Sequence, residues 1–325
     1  MNAQQLAAFV TDTTHAIERV SVPAMDNILG HTFGVLDHGF LRVIDYMGDD
    51  SSVVQAARVS YGTGTEAVQS DTGLINYLLR HDHTTPFEMC EIKLHVKLPV
   101  FVARQWIRHR MANVNEYSAR YSILDKEFYF PDPDDLAPQS KDNKQGREGS
   151  YDQAMKDSIL YVMKEGAEEA YGDYQLLIQE GDDPAADDYG YGLARELGRM
   201  VLPTNIYTQW YWKTDLHNLM RFMRLRADSH AQKEIRVYAE MIERIVAEWT
   251  PATFGAYQTY IKDMLKFSSK ELEALALVMN TEQGRIMIGV LKKLDVSMLQ
   301  DVGTFSKGEW KEFLVKLESV EKRFK

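Results

Sequence analysis

Cysteine is almost missing from this chain. Cys90 is the one thiol among 325 residues, which excludes an internal disulfide and a thiolate zinc cluster. Equally missing is any run approaching the roughly 20 apolar residues that a membrane-crossing helix needs. The opening 25 residues have neither the basic start nor the apolar stretch of a secretory leader. We therefore expect a cytoplasmic protein with no membrane partner. Basic excess is lacking too: Lys and Arg number 37 against 48 Asp and Glu, a formal net charge of −11. Non-specific duplex binding through counterion release fits such a chain poorly, so no nucleic-acid partner is expected. Internal repeats and low-complexity tracts are also absent.

What the chain does have is apolar material, 45% of its residues, enough for one large domain or one domain with an appendage. Ile92, Leu94, Val96 and Leu98 alternate with Glu91, Lys93, His95 and Lys97, the cleanest strand pattern in the sequence. Phe40 to Met47 and Ile206 to Trp212 read as further strands. Pro99 fits the first turn of a helix running through Arg110. The run Ser52 to Val59 is short and apolar, with a flexible turn over 60–65, and Leu74 to Leu79 has helical spacing. A long helix is predicted from Tyr151 to Ile178, with Gly181 as its C-cap. Another runs from Asp215 to near Arg226. A third carries Ile235, Tyr238, Ile242, Ile245 and Trp249, with Asp228 and Ser229 as candidate caps. Residues 131–149, rich in Pro and polar residues, read as a surface loop with no means of burying itself. Beyond about Lys266 three short amphipathic helices are expected, the last opened by a capping-box pattern at Ser306 and Glu309. The expected fold is α+β: an antiparallel sheet flanked by long helices over 1–266, then a small C-terminal helical extension over 267–325.

Against the acidic background, Arg104, Arg108, Arg110 and Arg120 crowd one short segment whose single acid is Glu116. Guanidinium forks match phosphate oxygens bidentately, and Ser118 with neighbouring backbone N–H groups can finish a phosphate cradle. A lone Arg-x-Arg would be read as a solvated helix face. A pattern that also includes Gln105, His109, Asn113, Asn115, Glu116, Ser118 and Arg120 leaves almost no spare position.

Arg108-His109-Arg110, then Asn115-Glu116, Ser118 and Arg120-Tyr121, closely resemble the signature of the flavin-dependent thymidylate synthases, with Asn113 where that family usually has a Ser. Ala57 to Tyr61, His83 to Glu88, Arg199 to Pro203 and Leu225 to Gln232 resemble four further family blocks in the expected order. No counterpart is recognised for residues after 266. The resemblance implies that Thr85, Arg108, His109, Arg110 and Glu116 contact FAD. It implies a nucleotide (dUMP) site built by Gln105, Arg108, Glu116, Ser118, Ala119 and Arg120 from more than one subunit of a homotetramer, with Arg199 and Arg226 holding the nucleotide from elsewhere in the chain. His230 would lie near the flavin ring and His83 near flavin or folate. Asp215, His217 and Arg221 occupy further flavin positions in an altered set. The implied reaction takes a one-carbon unit from 5,10-methylenetetrahydrofolate to C5 of dUMP and reduces it with flavin recharged by NADPH, giving dTMP. Arg226, beside the N3–O4 edge of uracil, would favour the ionised ring.

Competing readings of these residues are blander. Cys90, in place of Arg226, would have to add to C6 as the unrelated cysteine-dependent synthases do, but it starts a buried strand with no adjacent base. His81, Asp82 and His83 rarely converge on one ion at that spacing, so no metal is expected. Tyr207, Trp210, Tyr211 and Trp212 suit a core strand better than a base-stacking platform. A nucleotide- or RNA-binding module without turnover, and a docking role for the C-terminal helices, stay open at this level.

Overall fold

The computed structural model describes residues 19–59, 71–141, 146–181, 183–185, 189–291, 293 and 306–323. The turn expected over 60–65 lies outside them. Strands β1 (Thr32–Val35), β2 (Gly39–Met47), β3 (Glu91–Pro99), β7 (Tyr207–Asp215) and β4 (Asn113–Glu116) form one antiparallel sheet in the order β1-β2-β3-β7-β4. β3 is central, and its alternation is the reason: Ile92, Leu94, Val96 and Leu98 are all buried, while the intervening side chains are partly exposed. The small hairpin of β5 (Glu180–Gly181) and β6 (Gly190–Tyr191) stands apart and is followed by the short helix α5 (Arg195–Gly198).

Helix α7 (Lys233–Trp249) lies against this sheet, with Ile235, Tyr238, Ile242, Ile245 and Trp249 all buried in the main core. Two polar handles fix how it docks. Tyr238 Oη donates to the Lys97 carbonyl at 2.7 Å, and Trp249 Nε1 donates to the Gly48 carbonyl at 2.7 Å. Helices α1 (Asp50–Val59), α2 (Asp71–Arg80) and α8 (Pro251–Tyr257) complete the core. The run from Ser52 to Val59 is thus helical, with Val53, Val54 and Ala57 on one buried face.

Three local expectations are corrected. Helix α3 (Val100–Trp106) stops at Trp106, well short of Arg110. The chain tightens there, with the His109 amide bonded to the Trp106 carbonyl at 3.0 Å, because the backbone from Asn113 onward must be extended to pair with β7. Helix α4 (Gln153–Ile178) ends before Gly181, which is drawn into the β5–β6 pairing instead of capping. Gln232, not Asp228 or Ser229, occupies the N-cap of α7, since the Asp228 carboxylate accepts the His230 amide at 2.8 Å.

The described residues of 131–149 (131–141 and 146–149) bury more than their composition suggests. Leu136 is buried, and the Ser140 amide meets the Gly146 carbonyl as the Glu148 amide meets that of Pro138, closing a narrow tongue.

By contacts the chain forms two compact units, Met1–Lys262 and Asp263–Lys325. The second contains α9 (Ser269–Met279), α10 (Glu282–Leu291) and α11 (Lys307–Arg323), with Ala276, Ile288 and Trp310 buried. Ser268 with Glu271, and Ser306 with Glu309, each form a reciprocal capping box.

One glycine is demanded by this packing. A Cβ on Gly39 would sit 2.1 Å from Tyr238 Oη, 2.5 Å from the Val35 carbonyl oxygen and 2.9 Å from that of Lys97. Two of the three are backbone atoms that cannot swing away. Gly39→Ala should therefore destabilise the protein by about 2–3 kcal/mol in urea unfolding, the usual scale of core overpacking.

Candidate active site

Helices α3 and α6 (Leu216–Arg226) leave opposite ends of the β3–β7 pair, because Pro99 lies across from Tyr207 and Glu91 across from Asp215. Both pack into the core beside Trp210 and Trp212, so they run toward each other. Seven and eleven residues of helix span about 10 and 16 Å, together close to the roughly 27 Å of a nine-residue strand. Their far ends must meet. Trp106, at the end of α3, packs on Phe222 of α6 at 4.5 Å and on Trp212 at 5.4 Å between ring centroids.

At that meeting point Arg226 Nε donates to His109 Nε2 at 3.0 Å, and Arg226 Nη2 donates to the Gln105 carbonyl at 3.2 Å. A guanidinium is a donor only, so Nε2 of His109 must carry a lone pair: the ring is neutral, with its proton on Nδ1. Burial, then the positive Arg226 and Arg221, lower the His109 pKa to about 4. Phe222 meets the His109 ring edge-on at 4.9 Å. The Gln105 side-chain amide donates to Gln232. Among the described residues no carboxylate forms an ion pair with Arg226, so its charge is not discharged locally.

A separate group of signature residues gathers beyond the sheet edge. Glu116, Ser118, Ala119, Arg120 and Arg199 line one cavity of about 570 Å³. Glu116 is held by Thr208, whose Oγ1 donates to its carboxylate at 2.9 Å, and Ser118 Oγ accepts the Arg120 amide at 3.3 Å. Thr208 escapes sequence reasoning because it is a buried strand residue far along the chain from its partner. Gln105 and Arg226 do not line this cavity. Arg108 and Arg110 project from the turn after α3 and are exposed, as are Thr85 and His83. The His83 ring lies 5.8 Å from Tyr77. On α6, Asp215 is engaged as the helix cap, accepting from the Asn218 amide at 2.9 Å and its side-chain nitrogen at 2.8 Å. His217 is half-buried, and Arg221 is exposed. His230 and Gln232 border a third space of about 720 Å³ beside the 131–149 tongue.

Comparison with known proteins identifies the family. The family profile described as thymidylate synthase complementing protein matches residues 42–252. A flavin-dependent thymidylate synthase of Ruegeria pomeroyi is 51% identical over 316 residues, 96% of this chain and 97% of its own. One of Gluconobacter oxydans is 61% identical over 242 residues, 74% of this chain and 77% of its own. The chain belongs to the flavin-dependent thymidylate synthase family. Among solved structures, the UMP/dUMP methylase PolB of Streptomyces cacaoi bound with 5-Br dUMP superposes with a TM-score of 0.61 at 31% identity, covering 71% of this chain and 99% of its own. The alignment with the family member of Ruegeria leaves only 4% of this chain uncovered, so most of residues 267–325 do have a counterpart there.

The neutral state of His109 has a consequence for stability. Between its folded value near 4 and the ordinary 6.5, the unfolded residue binds a proton that the folded one does not, so stability falls as pH is lowered through that window. After allowance for partial solvent screening, the parent should lose about 1–2 kcal/mol more than His109→Gln between about pH 7 and 4.5, read by urea unfolding at each pH.

Proposed function

We propose that this chain transfers the one-carbon unit of 5,10-methylenetetrahydrofolate to C5 of dUMP and completes it to a methyl group, giving dTMP. FAD is the redox cofactor, NADPH its reductant, and the enzyme works in the cytoplasm as a homotetramer. The observation that carries this reading is the Arg226 cluster. Two bonds to groups that bear no formal charge fix the guanidinium plane, leaving positive charge and the remaining N–H donors for an incoming ring. Such a charge at the N3–O4 edge of uracil lowers the pKa of N3 and enriches C5 in electrons.

The donor set also suits FAD. Arg108 and Arg110 are exposed on a turn that flanks a neutral imidazole, and their forks match a pyrophosphate while the partly exposed His109 ring, backed by buried Phe222, offers a planar edge. When bound, the flavin supplies the hydride that the methylene group needs; the protein binds, orients and polarises. Arg120, Arg199 and Ser118, on their own cavity, suit the nucleotide phosphate. That this cavity is not the one at Arg226 supports a composite site in which neighbouring subunits complete each other. Tyr121 and Met200, 74% and 73% exposed beside the nucleotide cavity, are surfaces such an assembly would cover.

Cys90 is unsuited to covalent catalysis. It is fully buried, and burial, then Asp49 and Asp50, push its thiol up to about 12. Activity in Cys90→Ala is expected within about threefold of the parent, whereas a nucleophile's loss would cost orders of magnitude.

The deciding experiment is anaerobic turnover of the flavin-loaded enzyme with dUMP, methylenetetrahydrofolate and NADPH, with the nucleotide product weighed by mass spectrometry. Product heavier than dUMP by one methyl substitution is expected, and unchanged dUMP refutes the assignment. In single turnovers of pre-reduced enzyme, Arg226→Lys should be slower by about a hundredfold, some 3 kcal/mol of transition-state stabilisation. Lysine keeps the charge and loses the planar fork. Its nucleotide affinity should fall only moderately, because the phosphate cavity is untouched.

A further inference from the structure

The loop of residues 227–232, which joins Arg226 to α7 and carries His230 and Gln232, is held from outside by the 131–149 tongue. Arg147 reaches across to Glu234 in the first turn of α7, placing one Nη2 nitrogen 2.9 and 3.1 Å from the two carboxylate oxygens, while its Nη1 donates to the Asp135 carbonyl at 2.8 Å. Glu234 is only 3% exposed and also accepts from Tyr129 Oη at 3.1 Å. Next to it Lys233 Nζ meets both oxygens of Asp135 at 2.5 and 2.6 Å. The tongue is in turn anchored to α4 by Lys156 on Asp134 at 2.8 Å. Two adjacent residues at the exit of the loop are therefore clamped to one tongue. Within the loop, Asp228 accepts the His230 amide and ring, and Arg236 donates to the Ser229 carbonyl at 2.9 Å. At its end Gln232 is tied to Gln105, whose carbonyl anchors Arg226.

We propose that the Arg147–Glu234 and Lys233–Asp135 pairs form a clasp that positions loop 227–232, and through Gln232 and Gln105 the Arg226 guanidinium, for the reaction. The clasp rests on the reading of Arg226 and His230 as active-site groups. Arg147 touches neither of them, so it is a positioning residue. Its charge pairs with a carboxylate that burial alone would push toward protonation. The paired Arg147 instead keeps Glu234 below the usual carboxylate range. Arg147 itself is partly exposed, but the carboxylate it holds is buried and hydrogen-bonded from Arg147 and Tyr129 together, which fixes the pair more closely than two solvated side chains would be fixed. Its loss frees the loop while the phosphate cavity, on other elements, stays as it was.

The test uses the full flavin-loaded protein and two variants. Arg147→Met/Glu234→Gln removes both charges and strands neither in the interior; Arg147→Lys keeps the charge without the fork. Hydrogen exchange of the 227–232 amides should quicken by about tenfold or more in the double variant, with the α7 interior unchanged. Single-turnover oxidation of pre-reduced flavin at saturating dUMP and methylenetetrahydrofolate should slow by at least about tenfold, since sub-ångström misplacement is costly. Bound FAD and the KM for dUMP should stay within about twofold of the parent, and Arg147→Lys should recover most of both the exchange protection and the rate. Unchanged loop exchange overturns the clasp. So does a parental rate in a double variant whose loop has loosened. A rate loss that merely tracks lost flavin, with no recovery in Arg147→Lys, makes the pair structural only and also overturns it. If the parent itself fails to convert dUMP, the functional reading falls, and the exchange measurement still judges the clasp.

Discussion

The pairing of β3 with β7 is the constraint on which the rest of the site depends. Its nine-residue register sends one helix out from each end. Both helices must then cover the aromatic residues of the same sheet, since Trp106, Trp210, Trp212 and Phe222 form one buried cluster. Helix lengths that sum to about the strand length bring their ends together. His109 and Arg226, 117 positions apart, become hydrogen-bonded neighbours as a result. A slip of one residue in this pairing would turn the buried faces outward and part the two ends.

The electrostatics at that junction follow from the choice of partner. An arginine beside a carboxylate would form an ion pair and present little net charge. Here the partner is an imidazole kept neutral by burial and by the arginines around it, so the positive charge stays available. In the proposed role of Arg226, stabilisation would depend on dipoles and charges fixed before substrate arrives. The Gln105 carbonyl and the histidine lone pair supply that fixation without cancelling the charge.

Much of this was legible in the residues. The alternation over 91–98 specifies a strand buried on one face, and the apolar stripe from Ile235 to Trp249 specifies the helix that covers it. The arginine-rich signature, with its fixed spacing, pointed to the family that the comparisons then established. Helix ends were less legible. Local preference allows the helix after Pro99 to continue past Trp106, and only the demand of β4 for extended backbone stops it. Likewise the polar composition of residues 131–149 describes its solvent side and conceals Leu136 and the Arg147 contact.

The sequence by itself therefore determined the family, the antiparallel α+β class, the acidic and cysteine-poor character, and the identity of the residues that carry charge. Those are properties of spacing and composition, readable one segment at a time. Which of those residues meet was decided only by the tertiary structure. The expected site residues divide between the cavity at Ser118 and Arg199 and the Arg226–His109 junction, and Arg147 is recruited to Glu234. Such contacts join residues tens to more than a hundred positions apart, and they exist only once strand register and helix length have brought them within hydrogen-bond reach.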